Sequence, residues 1–288
     1  MIKAFFVTDL HGKIGRYERL FTEMLSDPPQ VLFMGGDLLP HRLRPVQWGD
    51  EMIENFVEDY LSKRFLKLRE QMRNDYPDVF LIMGNDDARS EEQYVIDGAH
   101  QGHWKYIHQK SILYRNFTVF GYAYIPPSPF QIKDWEKYDV SHYADPGCIP
   151  PNEGFRTVEP PENIEHGTIA KDLEMLVKGE DKSRTVFLFH SPPYHTLLDR
   201  AALDGVMFEH VPLDVHVGSI AIKRFIEKYQ PLVTMHGHIH ESSRLTGHWM
   251  ERIGQTIAFN AAIDTPHLSL IKFDLNDPSS AERIVLDI

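Results

Sequence analysis

Five short segments of the sequence carry histidine, aspartate or asparagine at positions that suit metal binding. In each segment an apolar run, typical of a buried strand, is followed at once by polar side chains. The seven polar residues are Asp9, His11, Asp37, Asn85, His190, His238 and His240. Because buried strands of α/β proteins present functional groups at their carboxyl ends, we expect these side chains to converge on one site.

The central segment is 31–38, in which four apolar residues lead into Gly35, Gly36 and Asp37. The two glycines let the backbone turn and leave room for a close approach. No Lys or Arg adjoins Asp37 in the sequence, so an ionised carboxylate there needs a counter-charge, which a metal ion would supply. Imidazole and carboxyl oxygen without thiolate suit manganese, iron, zinc, cobalt or nickel. Seven ligands fit two ions about 3.5–4 Å apart that share one carboxylate, and we predict Asp37 as that bridge.

Each segment taken alone also has a structural interpretation. An Asp-x-His pair is common in surface loops, Gly84-Asn85-Asp86-Asp87 has the composition of a turn, and a lone His190 is often a packed residue. Three histidines within 236–240, directly after an apolar strand, are harder to explain as packing residues. The five segments together, in this order, favour a metal site over the structural interpretation.

The elements that must position these residues alternate along the chain. Hydrophobic periodicity predicts a helix over 14–25 between strands at 2–7 and 31–37, which implies a parallel pair. It also predicts a long helix over 50–75, strands at 79–83, 186–189 and 232–235, and helices beginning near 169 and 219. Further strands are expected within 112–124 and at 257–260, 268–275 and 284–288. The Pro-rich stretch 125–162 is predicted to be a long ordered loop at a substrate rim, and one domain is the simplest interpretation of 1–288.

Composition restricts the class of protein. The chain has 288 residues, of which 42% are hydrophobic and 25% charged, as in ordinary globular proteins. The formal net charge of −12 argues against a nucleic-acid partner and against an anionic membrane, although bound metal ions can reverse the local sign. The single cysteine, Cys148, allows no intrachain disulfide. Neither a signal segment nor a membrane span is recognisable, so a cytoplasmic location is expected; the oligomeric state is left open.

The five segments resemble the motifs of the calcineurin-like metallophosphoesterases, which read D-x-H, G-D, G-N-H-[DE], a lone His, and G-H-x-H. Here they extend from residue 9 to residue 240, and the stretch 236–242 resembles a prokaryotic branch of that family. The resemblance implies a four-layer α/β/β/α sandwich of two mixed sheets. It places one metal on Asp9, His11, Asp37 and His240, and the other on Asp37, Asn85, His190 and His238.

The resemblance also implies an activity. A di-metal phosphohydrolase of this type would attack phosphorus with a metal-bound hydroxide, and a phosphodiester or another small phosphorylated molecule is the expected substrate. Two ions, manganese and/or iron, are expected, with zinc, nickel or cobalt as alternatives. The competing hypothesis is a metal-binding scaffold of the same fold with little or no catalysis.

One position departs from the family pattern. Where the family has a histidine after the asparagine, this chain has Asp86, followed by Asp87. In the family that histidine contacts the phosphoryl group and is held by the next acidic residue, so Asp86 and Asp87 are the candidate catalytic residues. A carboxylate is ordinarily ionised near neutral pH and would repel phosphate. We therefore expect Asp86 not to act as a general acid.

Five further residues are candidate substrate contacts: His41, Arg42, Tyr194, His216 and His236. The first two follow Asp37 on a loop, where a solvated position is an equal alternative. Tyr194 follows His190, and His236 adjoins the last metal motif, where it is also a candidate partner of a metal ligand. His216 precedes a helix whose N-terminus is predicted to receive an anion.

Overall fold

The structure is a computed structural model that describes residues 1–41, 46–49, 51–159, 167–177 and 184–288. Its strands are β1 (Lys3–Val7), β2 (Val31–Gly35), β3 (Val46–Trp48), β4 (Glu51–Ile53), β5 (Asp78–Ile82), β6 (Lys105–Tyr106), β7 (Lys110–Tyr114), β8 (Phe117–Tyr122), β9 (Thr185–Phe189), β10 (Met207–Phe208), β11 (Val211–Pro212), β12 (Val233–His236), β13 (Met250–Ile253), β14 (Thr256–Asn260), β15 (Leu268–Asp274) and β16 (Asp277–Leu286). Its α-helices are α1 (Ile14–Ser26), α2 (Lys63–Met72), α3 (Glu92–His100), α4 (Ile169–Leu176), α5 (Ile220–Tyr229) and α6 (Ser242–Thr246).

Two six-stranded sheets form the centre of the molecule. The first has the strand order β16-β15-β1-β2-β5-β6, and the second has the order β13-β14-β12-β9-β8-β7. In the first sheet β1, β2, β5 and β6 are parallel, and in the second β8, β9, β12 and β14 are parallel. Antiparallel strands complete both sheets. Both sheets are therefore mixed, as predicted.

The two sheets pack face to face with helices outside them. β2 and β5 of the first sheet contact β8 and β9 of the second, and residues of both sheets belong to one hydrophobic cluster. α1 packs on β15 and α2, whereas α5 packs on α4 and on the second sheet, where the Phe225 ring lies 4.9 Å from that of Phe187. The predicted four-layer arrangement of helices, two mixed sheets and helices is confirmed.

The predicted helix over 50–75 is wrong in its first part. β3 and β4 form a short antiparallel hairpin, and a π-helix, Phe56–Ser62, then leads into α2. The Asn55 side chain accepts a 2.9 Å hydrogen bond from the amide of Glu58, which caps the helical segment where it begins. The apolar stripe is nevertheless buried as expected, because Phe56, Tyr60 and Phe65 are all inside.

The Pro-rich stretch follows β8 as a long loop without a strand or helix in the described part up to residue 159. Buried side chains fix it in place. Lys133 Nζ lies 2.6 Å from Glu136 Oε2, and neither side chain is exposed. Trp135 Nε1 donates a 2.7 Å hydrogen bond to the carbonyl of Asp87. The loop is thus tied to the segment that follows β5.

None of the helices in the described ranges combines the length and the apolar character that crossing a bilayer requires.

Candidate metal centre

The predicted ligands follow strands whose carboxyl ends lie at one edge of the sandwich. Asp9 and His11 follow β1, Asp37 follows β2, and Asn85 follows β5, all in the parallel part of the first sheet. In the second sheet the parallel strand β9 ends just before His190, and β12 ends just before His238 and His240. The two sheets meet here, because His190 Nδ1 lies 2.8 Å from the carbonyl oxygen of Gly35.

Four of the ligand residues have a left-handed backbone conformation. Their φ angles are 55° at Asp9, 50° at His11, 51° at Asp37 and 71° at His238. Non-glycine residues rarely adopt this region, and such residues cluster at functional sites. The backbone therefore turns sharply at the ligands that follow β1, β2 and β12.

Glycines next to the ligands leave the space that the ligands need. A Cβ at Gly84 would lie within 3.0 Å of Asp37 Oδ1, and one at Gly237 would lie equally close to Asp9 Oδ2. A side chain at Gly36 would lie 2.7 Å from His190 Nδ1. Only glycine permits this close packing of backbone against ligand side chains.

The first group of ligand atoms belongs to Asp9, His11, Asp37 and His240, all within 4.8 Å of one another. His240 Nε2 lies 3.0 Å from Asp9 Oδ1 and 3.1 Å from His11 Nε2. Asp9 is fully buried, and its Oδ2 accepts a 2.7 Å hydrogen bond from the Thr8 hydroxyl. The pKa of Asp9 is held below its ordinary value, although burial acts to raise it, because His240 pairs with it.

The second group comprises Asp37, His190 and His238, again within 4.8 Å of one another. His190 Nε2 lies 3.3 Å from Asp37 Oδ2 and 3.0 Å from Asn85 Oδ1, so the asparagine joins the group. Burial acts to lower the pKa of His190, but the Asp37 carboxylate prevails and raises it to about 10. Burial, followed by the charge of His190, lowers the pKa of His238 to about 3.

Asp37 belongs to both groups, and the chemistry of these atoms suits two cations. Because a carbonyl can only accept, His190 must donate its Nδ1–H to Gly35, and in a neutral ring Nε2 then carries a lone pair. That lone pair faces the oxygens of Asp37 and Asn85, which also carry lone pairs. Nitrogen and oxygen lone pairs that converge in this way need a proton or a metal ion among them. The residues present therefore fit a di-metal centre.

Asp86 lies beside the first group. Its amide donates a 2.7 Å hydrogen bond to Asp37 Oδ1, and its Oδ2 lies 3.4 Å from His11 Nδ1. Its side chain is 43% exposed. Burial of the carboxyl, and then the charge of Asp37, raises the pKa of Asp86, while His11 and His41 lower it.

Asp87 does not face the open side of the site. It is fully buried, and its oxygens accept hydrogen bonds from the amides of Leu38, Leu39 and Gly84, at 3.1, 2.7 and 2.9 Å. Burial and the charge of Asp37 raise its pKa to about 8. Asp87 thus joins the two loops that carry Asp37 and Asn85, and its catalytic role stays a prediction.

The expected contact of His236 with substrate is also wrong. The ring is completely buried and stacks on Phe189, with centroids 5.6 Å apart. Nδ1 bonds to the carbonyl of Ser191 and Nε2 to the hydroxyl of Thr234, both at 2.8 Å. Burial lowers its pKa to about 3. His236 instead fixes the backbone that follows His190.

The predicted anion site at the start of α5 is already filled by a carboxylate. Asp139 accepts hydrogen bonds from the hydroxyl of Ser219 and from the amide of Ile220, at 2.6 and 2.7 Å. The side chain comes from the Pro-rich loop, 80 residues before Ser219. A phosphate at this helix terminus would meet a like charge, so the prediction is wrong.

The remaining predicted contacts lie apart from the metal ligands or at their rim. Tyr194 and His216 line a cavity of about 340 Å³ together with Pro126, Tyr143 and Asp214. Tyr194 donates a 2.6 Å hydrogen bond to Asp214, and His216 Nδ1 lies 2.8 Å from Asp199 Oδ1. His41 is exposed and close enough to lower the pKa of Asp86. Arg42 lies outside the described residues.

Several residues that shape the site were not predicted from the sequence. They include Thr8, which donates to Asp9; Trp135, which bonds to the carbonyl of Asp87; and Asp139. Thr8 could have been noticed, because it directly precedes Asp9. Trp135 and Asp139 lie in the Pro-rich loop, and no local pattern connects them with strands elsewhere in the chain.

Comparisons with known proteins agree with this geometry. The family model described as calcineurin-like phosphoesterase matches residues 2–242. None of the curated proteins compared matches the chain. Among solved structures, TT1561 of Thermus thermophilus is 14% identical with a TM-score of 0.58, and the alignment covers 99% of both chains. A putative 5'-nucleotidase from Staphylococcus aureus, 13% identical, has a TM-score of 0.49 over 99% of this chain and 54% of that one. At these identities the similarity to TT1561 shows the fold alone.

Proposed function

This chain belongs to the calcineurin-like phosphoesterase family, and on that premise we propose that it is a di-metal phosphohydrolase acting on a phosphodiester or another small phosphorylated molecule. The observation that carries the proposal is the position of Asp37. Its carboxylate belongs to two groups of ligand atoms, one with Asp9, His11 and His240 and the other with His190 and His238. Two neighbouring groups with a common carboxylate are the arrangement that a two-metal site requires.

The residues present also indicate which metals would bind. Imidazole and carboxylate without thiolate favour manganese and iron, with zinc, nickel and cobalt as alternatives. Such ions, when bound, act as Lewis acids on a phosphoryl group and supply a nucleophile at neutral pH. The chain contributes preorganised ligands: Asp9 and His190 are fully buried, and hydrogen bonds from Thr8 and to Gly35 fix their orientation.

The open side of the centre is acidic where the family has an imidazole. Asp86 exposes 43% of its side chain there, and an ionised carboxylate has no proton to donate to a departing oxygen. His41 is an exposed histidine close enough to Asp86 to lower its pKa. We therefore propose that the enzyme prefers substrates whose leaving groups depart without a proton, and that His41 contacts the phosphoryl group from the rim.

The cavity beside Tyr194 would accept the organic part of the substrate. Tyr194 follows the ligand His190 by four residues, a separation that spans at most about 14 Å of extended chain. The cavity of about 340 Å³ has apolar walls that include Pro126 and Tyr143, and it falls within the usual size range of small-molecule sites. Because it contains Asp139 and Asp214 and no Lys or Arg among its described lining residues, it suits an uncharged organic group better than a second phosphate.

Hydrolysis of bis-p-nitrophenyl phosphate tests the proposed function, because its leaving group needs no general acid. Protein freed of metal and reloaded with Mn²⁺ should release nitrophenol, and chelator should abolish this release. Asp37→Ala should be inactive, and Asn85→Ala should be slower than the unaltered protein. Asp204→Ala, which removes an exposed carboxylate paired with Arg200, is the matched control and should retain full activity. No turnover above Asp37→Ala with Mn²⁺, Fe²⁺, Zn²⁺, Co²⁺ or Ni²⁺ would leave the metal-binding scaffold as the better description.

A further inference from the structure

The two ring nitrogens of His11 face different partners. Nε2 points into the first ligand group, 3.1 Å from His240 Nε2 and 3.9 Å from Asp9 Oδ1. Nδ1 is on the other side of the ring, 3.4 Å from Asp86 Oδ2. Asp86 is therefore the neighbour of Nδ1, whereas Nε2 faces the other residues of the ligand group. From this position the Asp86 carboxylate can influence the orientation and the tautomer of the His11 ring.

Both residues of this pair are fixed to the same carboxylate-bearing segment. The amide of His11 donates a 2.7 Å hydrogen bond to the carbonyl of Asp37. The amide of Asp86 donates one of the same length to Asp37 Oδ1. The two backbones are thus held relative to each other, and the remaining freedom of His11 is the rotation of its ring.

His190 shows what such a partner achieves in the second ligand group. Its Nδ1–H donates to the carbonyl of Gly35 at 2.8 Å, which leaves Nε2 to face Asp37. Metal-binding histidines usually donate the second ring N–H to a carbonyl or carboxylate, and this interaction fixes the tautomer and the ring orientation. The His11 ring has the same division of its two nitrogens, with Asp86 where His190 has a backbone carbonyl.

We propose that Asp86 is a positioning residue for His11, whose carboxylate favours the Nδ1–H tautomer and keeps Nε2 directed at the first metal. This inference rests on the proposed di-metal centre. It gives the residue that replaces the family's histidine a role in holding metal. An ionised carboxylate accepts hydrogen bonds and donates none. It therefore favours one tautomer of His11 more strongly than an imidazole would, because an imidazole can donate or accept. The 3.4 Å separation is long for an N–H···O hydrogen bond, and the attraction across it is therefore mainly electrostatic.

The first test measures Mn²⁺ affinity by titrating metal-free protein and following free Mn²⁺ by electron paramagnetic resonance. Loss of a partner of a ligand histidine typically weakens metal binding by about 10–100-fold. Asp86→Ala should therefore weaken one of the two sites by that factor and leave the other nearly unchanged. Asp86→Asn keeps the shape of the side chain but loses its charge. Its Mn²⁺ affinity should lie between those of the unaltered protein and Asp86→Ala.

A double-mutant comparison separates positioning from a general charge effect. Asp86→Ala is measured both in the unaltered protein and together with His11→Ala. If Asp86 acts through His11, Asp86→Ala should cause little further loss of Mn²⁺ affinity in a protein that already carries His11→Ala. The same loss of affinity in both backgrounds would show that Asp86 merely adds negative charge, and it would overturn the proposal.

Nitrogen NMR of histidine-labelled, metal-free protein gives a second measurement that does not depend on activity. The His11 ring should show protonated Nδ1 and unprotonated Nε2, and Asp86→Ala should shift it towards a mixture of tautomers. An unchanged His11 spectrum in a folded Asp86→Ala protein would contradict the inference. Failure of the unaltered protein to bind two Mn²⁺ ions would instead contradict the proposed function, so the two failures are distinguishable.

Discussion

Asp37 and His190, which come from different sheets, are in direct contact: Oδ2 of the carboxylate lies 3.3 Å from Nε2 of the imidazole. Asp37 is also within 4.8 Å of the ligand atoms of Asp9, His11 and His240. Within the described ranges of the chain, this carboxylate is therefore the one side chain common to both groups of ligands. Its removal should affect two ions, whereas removal of a histidine should affect one.

Metal content tests this relationship directly. Elemental analysis of protein reloaded with Mn²⁺ should approach two ions per chain, and Asp37→Ala should lose both. His240→Ala should mainly weaken one site and His238→Ala the other, because each belongs to one group. Asp204→Ala should keep both ions. Saturation at a single ion would be incompatible with a di-metal centre.

The glycine before Asn85 provides a steric test. A Cβ at Gly84 would lie within 3.0 Å of Asp37 Oδ1 and of the His190 ring, so Gly84→Ala should displace ligands from both sheets. We expect metal affinity to fall by at least about 10-fold, the low end of what disturbed ligand geometry costs. Gly15→Ala is the control, because its Cβ would meet only the flexible side chain of Ile288, at 3.2 Å. Equal metal affinity in the two variants, measured by the same titration, would refute this account.

His108 should make stability depend on pH. It is buried, its Nδ1 accepts a 3.1 Å hydrogen bond from the amide of Ala123, and burial lowers its pKa well below the ordinary value. The folded protein therefore excludes a proton that the unfolded chain binds below about pH 6.5. The stabilisation is complete above that pH and is lost as pH falls, by up to about 1.4 kcal/mol per pH unit for one proton.

Chemical denaturation at pH 7, 6 and 5, in the presence of chelator, measures this slope. His108→Gln should have a shallower decline of unfolding free energy between pH 6 and pH 5 than the unaltered protein. His100→Gln, which replaces an exposed histidine at the end of α3, should leave the decline unchanged. Parallel curves for all three proteins would show that His108 takes up its proton in the folded state.

The cavity beside Tyr194 should affect the choice of substrate. Tyr143 lines it and exposes 64% of its surface, so Tyr143→Ala should fold normally. An aromatic contact is worth about 0.5–1.5 kcal/mol, which corresponds to a fall of about 2- to 12-fold in kcat/KM. We expect that fall with the p-nitrophenyl ester of thymidine 5'-phosphate and no change with methyl p-nitrophenyl phosphate. An equal change with both esters would place the organic group elsewhere.

The residues of the candidate metal centre could be found from sequence because each signal is local. A short apolar strand followed by a ligand is visible within a few residues, as at Asp37 and His190, and parallel strands necessarily bring their ends to one edge. The order of strands within each sheet could not be derived in this way. It depends on contacts between distant segments, such as β1 with β15.

The errors have the same physical origin. His236 and His238 are two residues apart and would share a face of an extended strand, but the backbone turns at His238, where φ is 71°. One ring is therefore buried and the other joins the ligands. The amino end of α5 is filled by Asp139 from the Pro-rich loop. The pairing of Asp86 with His11 likewise depends on the juxtaposition of β1 and β5 on either side of β2.

The two ligand groups take residues from both sheets, and the contact of Asp9 with His240 joins positions 231 residues apart. Contacts between such distant positions form late in folding, because a long loop must close first. Cations that bind only the finished site stabilise the native state in proportion to the logarithm of their concentration. We expect newly made chains that lack metal to be cleaved faster by protease than chains supplied with Mn²⁺, and Asp37→Ala to abolish the difference. Metal supply would then set the cellular lifetime of the protein as well as its activity.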